Sequence, residues 1–145
     1  MFDVREKVLP ILEQAGVDLV LSGHSHMYER SHLMGCHYGK SDTLQPEMMQ
    51  SPRREGDSDI YIKPAAGRVA HHGAIYMVVG SSSKVDQGPL DHPAMATSLG
   101  EMGALVVDVN GSRLDAHFIT DRGTIADSFA IVKGDTTVIP LQCVP

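Results

Sequence analysis

An Asn-Gly pair at positions 110–111 constrains this chain more tightly than any other feature. Asn-Gly is the preferred pair for a two-residue type I′ turn, whose twist matches that of two antiparallel strands. The flanks fit. Ala104 to Val109 and Arg113 to Ile119 read as strands. In the second, Leu114, Ala116 and Phe118 alternate with Arg113, Asp115 and His117, as in a strand with one face in a core. A further turn at Asp121-Arg122-Gly123 leads to a strand over Thr124 to Val132. The chain therefore closes as an antiparallel β meander.

Its opening follows a different rule. Asp3 and Glu6 read as a capping box at a helix start. Val4, Val8, Ile11, Leu12 and Ala15 recur at helical spacing, and Gly16 supplies a stop. Pro10 sits inside this pattern and predicts a kink or a break, because it lacks an N–H and crowds the preceding turn. Val17-Asp18-Leu19-Val20-Leu21 then reads as a short strand buried on both faces, as in a parallel sheet. Ala74 to Val79 reads as a central strand ending in Gly80 and three serines. Between them, positions 31–73 are rich in Gly, Pro, Ser, Asp and Met and read as a long irregular excursion, with Ile60-Tyr61-Ile62 a short strand inside it. A second loop covers Lys84 to Pro93.

Composition excludes several classes. A chain of 145 residues is about one domain. With 12 basic against 18 acidic residues and no basic run, it has no electrostatic footprint for nucleic acid. No apolar run approaches the ~20 residues of a membrane helix. Cys36 and Cys143 fit neither a CxxC redox motif nor a zinc knuckle. They read as one long-range disulfide or as two free thiols.

The chemistry points to Leu21-Ser22-Gly23-His24-Ser25-His26-Met27-Tyr28-Glu29-Arg30. Two histidines stand just beyond the carboxyl end of an apolar strand, where open α/β sheets place their ligands. Gly23 predicts a tight turn and a close backbone approach. In such a turn the two imidazoles can each meet one of two adjacent ions. Metals about 3.5–4 Å apart can activate a water and hold a phosphoryl group between them. The bland alternative is a surface pair among eight histidines.

On these residues the chain resembles the calcineurin-like metallophosphoesterases. Val17 to Arg30 looks like their last metal-binding block, and Tyr28-Glu29-Arg30 resembles the purple acid phosphatase branch. Ala74 to Gly80 looks like that branch's strand before a Gly/Ser-rich loop, and Ser98 to Lys133 like its closing meander. Gly88 to Met95 is similar to a segment of bacterial relatives. The resemblance implies a four-layer α/β/β/α sandwich, with residues 1–145 forming the C-terminal part of a single domain, α+β in this portion. It implies phosphate-ester hydrolysis at two metal ions, drawn from iron, zinc or manganese. His24 would bind the second metal and His26 the first. It also points to an extracytoplasmic location.

The departure is as informative as the match. The family's Asp-x-His, Gly-Asp-x-x-Asp and Gly-Asn-His blocks precede its Gly-His-x-His block and are absent here. The chain therefore reads as part of an enzyme, inactive alone, whose partner is the N-terminal portion of the same domain. An uncovered apolar face and self-association follow. The competing reading is a non-catalytic β-rich binding module derived from that family.

Further candidates are weighed against plainer roles. Tyr28, Arg30 and His92 are candidate lining residues of the active site. Arg30 suits a bidentate phosphate contact or a structural salt bridge, and His92 either reaches the catalytic edge or is a plain loop residue. His32 and His37 are exposed or orient a ligand ring. His71, His72 and His117 read as solvated, and Ser81-Ser82-Ser83 as a loop rather than a nucleophile.

Overall fold

The computed structural model describes residues 2–65 and 72–134. The fold is mixed α+β. Helix α1 spans Phe2–Gln14 and runs unbroken through Pro10. Asp3 therefore lies inside its first turn rather than at the cap. The predicted stop is present: Gly16 is left-handed at φ 72. The Gly16 and Val17 N–H groups donate to the Glu13 and Leu12 carbonyls, which is the Schellman closure of a helix end. The apolar stripe faces outward, however. Val4, Val8 and Ile11 are exposed, while Glu13 is buried.

Eleven strands, β1–β11 in chain order, follow among the described residues. The first sheet orders β1 (Leu19–Ser22), β7 (Ile75–Val79), β2 (Tyr28–Ser31) and β8 (Met95–Leu99) from edge to edge. β1 runs parallel to β7, while β2 runs antiparallel to both its neighbours. β7 is central, as its apolar run predicts. β1 is an edge strand, and Leu21 is 53% exposed. The expectation of burial on both faces fails here: Leu19 and Val20 are half-buried and Leu21 and Ser22 exposed, so neither face is covered at the strand's carboxyl end.

The second sheet orders β5 (Arg53–Glu55), β6 (Ser58–Pro64), β11 (Ile125–Gly134), β10 (Arg113–Thr120) and β9 (Gly103–Asn110). The closing strands form the expected meander, but β11 then pairs in parallel with β6. The described part of the excursion over 31–73, residues 31–65 and 72–73, is thus more ordered than its composition suggests. It carries β5, β6 and the small ladder of β3 (Leu33–Met34) with β4 (Met49–Gln50). The hairpin turn is displaced by one residue. Asn110 pairs with Arg113, so the loop is Gly111-Ser112. Gly111 is left-handed at φ 59 and Ser112 is not. A type I′ turn needs both central residues left-handed, whereas glycine at the first position alone suits type II′.

The core lies between the two sheets. Tyr28, Ile75 and Met77 from the first meet Tyr61, Ala116, Phe118, Phe129 and Ile131 from the second. The rings of Tyr28 and Phe118 stack with centroids 4.0 Å apart. No described helix is long and apolar enough to cross a membrane.

Candidate metal-ligand loop

The segment from Gly23 to Met27 joins β1 to β2 across the end of β7. It is held from below. The Ser22 hydroxyl donates to the Met77 carbonyl at 2.7 Å, and the Gly80 N–H donates to the Met27 carbonyl at 3.1 Å. The loop passes so close to Gly80 that a Cβ there would overlap the Ser25 carbonyl oxygen. Gly80, at the end of the central strand, is the glycine the loop requires. A Cβ on Gly23 meets nothing among the described residues, and Gly23 is not left-handed. The left-handed position falls one residue later, on His24 at φ 77. A side chain other than glycine rarely adopts this conformation, and such strain concentrates at functional sites.

His24 is exposed and His26 half-buried, both beyond the carboxyl end of β1. His26 is gripped by Asp86. Its backbone N–H donates to Asp86 Oδ2 at 3.1 Å, and its ring Nδ1 lies 3.0 and 2.9 Å from the two carboxylate oxygens. The Asp86 N–H returns a bond to the His26 carbonyl at 3.0 Å. Hydrogen bonds from the His26 ring and backbone draw the Asp86 carboxyl below the ordinary value. Lys84 Nζ approaches the same carboxylate at 3.4 Å. Sequence reading missed Asp86, and no spacing rule joins positions 60 apart.

This architecture has a counterpart among solved structures. The purple acid phosphatase PPD1 from yellow lupin (Lupinus luteus) seeds matches with a TM-score of 0.59 at 19% identity. The match covers 90% of this chain and 19% of that one. The two share a fold over that region, and this chain spans about a fifth of the neighbour's length. No protein-family profile and no curated protein matches the chain.

The donor set fits a metal in part. With Asp86 on Nδ1, the Nε2 of His26 is the nitrogen left for an ion, and the exposed His24 stands two residues away. Among the described residues, no three His, Cys, Asp or Glu side chains are grouped to hold an ion.

The other candidates lie elsewhere. Tyr28 and Arg30 do not line an open site. Tyr28 is fully buried and Arg30 is 1% exposed. The Arg30 guanidinium donates to Asp127 from Nε (2.6 Å) and Nη2 (2.8 Å), and from Nη2 to Asp59 (3.0 Å). Tyr61 and Thr97 hydroxyls accept further bonds, and the Phe129 ring lies 5.0 Å below. The Tyr28 hydroxyl also donates to Asp127 at 2.7 Å. Burial pushes the Tyr28 phenol well up and the Tyr61 phenol up to about 12. The salt-bridge reading of Arg30 is the one the geometry fits.

His92 lines a cavity of about 140 Å3 with Arg5, Glu13, His37 and Tyr76, beneath α1. His37 and His72 are buried, against the expectation of exposure. His117 is half-buried, with Ser128 Oγ 3.0 Å from its Nδ1. Ser81 is fully buried, as a packed loop residue and not an exposed nucleophile. Cys36 is disulfide-bonded, so the reading of two free thiols is set aside. His71 and Cys143 lie outside the described residues.

Proposed function

We propose that this chain is the C-terminal part of a purple-acid-phosphatase-like metallophosphoesterase domain. His24 and His26 supply two of the ligands to a pair of iron, zinc or manganese ions. When bound, such ions polarise a phosphoryl oxygen and activate water for ester hydrolysis. This chain's own share is positional. The Asp86 bonds hold the His26 imidazole beyond the carboxyl end of β1, and the left-handed turn at His24 sets a second histidine beside it in the same loop. That juxtaposition carries the reading, and the shared fold with a purple acid phosphatase supports it.

The remaining ligands come from the N-terminal portion of the same domain, the chain's principal partner. Exposed Val4, Val8, Ile11 and Leu21 support such a covering surface, and the same surface favours self-association of the isolated chain. The substrate is a phosphate ester. The Cys36 disulfide supports an oxidising, extracytoplasmic compartment.

The test is to sequence the encoding gene ahead of the Met1 codon and assay its full product on a chromogenic phosphate ester. Upstream Asp-x-His, Gly-Asp-x-x-Asp and Gly-Asn-His blocks, with metal-dependent turnover lost in His26→Ala, are expected. A stop codon directly upstream, or turnover indifferent to His26→Ala, would overturn the proposal. The 145-residue chain alone is expected to show no turnover above background.

A further inference from the structure

We infer that Asp86 is the positioning residue of this site, fixing His26 as the Nδ1–H tautomer and reserving Nε2 for the metal. The inference rests on the metal reading of His26 given above.

An ionised carboxylate only accepts hydrogen bonds. Its two oxygens stand 3.0 and 2.9 Å from Nδ1, so that ring nitrogen must carry the proton. The lone pair of a neutral imidazole is then on Nε2. Metal-bound histidines almost always donate their other ring N–H to a carboxylate, a carbonyl or water, which fixes both tautomer and ring orientation. Here the carboxylate also takes the His26 backbone N–H at 3.1 Å. The Asp86 N–H binds the His26 carbonyl at 3.0 Å, so backbone and ring are oriented together.

This double grip is what a half-exposed site needs. Side-chain exposures are 39% for His26 and 38% for Asp86, so packing alone would leave the ring free to turn. His24 has no such carboxylate partner among the described hydrogen bonds. Its backbone is left-handed at φ 77, which aims the Cα–Cβ bond and leaves the ring to solvent.

The experiment is long-range proton–nitrogen NMR of the metal-free full product of the encoding gene at neutral pH, followed by zinc titration. The expected result is an Nδ1–H tautomer for His26 in the unsubstituted protein. In Asp86→Ala the majority form should become Nε2–H, the usual preference of a free imidazole. Zinc affinity read at the His26 ring should fall about 10–100-fold in that variant. An Nε2–H His26 in the unsubstituted chain overturns the inference without any variant being made. So does an Asp86→Ala protein with unchanged tautomer and zinc affinity, and either result leaves the metal reading standing. A tautomer switch as expected, with zinc moving neither histidine's signals, overturns the metal reading and with it the role of Asp86 toward an ion.

Discussion

Residues 24–26 and residues 28–30 are neighbours in one stretch and obey opposite physics. The first three are in a solvent-facing loop, one of them backbone-strained, with a single carboxylate holding His26 from 60 residues away. The last three enter β2, where Tyr28 and Arg30 are sealed between the sheets. The contrast teaches that a motif can join a ligand-presenting half to a foundation half. Arg30 ties β2 to Asp59 on β6 and Asp127 on β11, so the loop ends on a point bound to two strands of the second sheet.

The largest effect should come from breaking the foundation. Arg30→Met removes a buried cation and leaves Asp127 and Asp59 facing each other without it. Removing one partner of a buried ion pair typically costs about 3–5 kcal/mol. Urea unfolding should show a loss of that order, whereas His26→Ala should change stability by less than about 1 kcal/mol. Equal losses in the two variants would erase the distinction between the halves. Acid should act on the same point. Burial works against ionising Asp127, but the Arg30 guanidinium outweighs it and holds the carboxyl below its ordinary value of 3.8. A depressed carboxyl contributes stability that is present above the unfolded value and lost as pH falls through the folded one. The urea midpoint should therefore drop below about pH 4, and Asp127→Asn should flatten that drop.

The next test strikes the join between the halves. Gly80→Ala places a methyl on the Ser25 carbonyl oxygen, so backbone must move. Overpacking of this kind costs about 1–3 kcal/mol. The amide signals of Ser25 to Asp86 should shift while those of the β9–β10 hairpin stay in place. An unshifted loop would mean that Gly80 does not hold it.

Much of this architecture was legible in the residues. The alternation in Leu114, Ala116 and Phe118 reports a half-buried strand because side chains point to opposite faces in turn. The Gly16 stop and the central strand after Ala74 follow from equally local rules. What was not legible is non-local. The parallel pairing of β11 with β6 joins segments about 70 residues apart and leaves no mark in either. The burial of His37 and His72 depends on what covers them. The site divides the same way. His24 and His26 were readable from two histidines after an apolar strand, whereas Asp86 was not, because its contact exists only once the loop over 84–93 folds back. Arg30 was readable as a choice between phosphate and salt bridge, and only the positions of Asp59 and Asp127 decide it.

The smallest effects separate the two candidate glycine-like positions, and here sequence logic and geometry disagree in sign. Local pattern makes Gly23 the essential turn residue. Geometry makes it dispensable, since it is not left-handed and a Cβ meets nothing among the described residues. Gly23→Ala should then be neutral or stabilise by about 0.4–1 kcal/mol, through the reduced freedom of the unfolded chain. His24 carries the strain instead. A left-handed backbone costs a non-glycine residue roughly 1–2 kcal/mol. Glycine removes that cost but gives back about 0.5–1 kcal/mol of backbone entropy. His24→Gly should therefore be more stable than the parent by up to about 1.5 kcal/mol, while losing the zinc-induced shift at that position. A protein that gains stability by losing His24 keeps the histidine for something other than folding. If His24→Gly is instead less stable and Gly23→Ala is destabilised by more than about 1 kcal/mol, the strain sits at position 23, and the loop is built as the sequence pattern alone predicts.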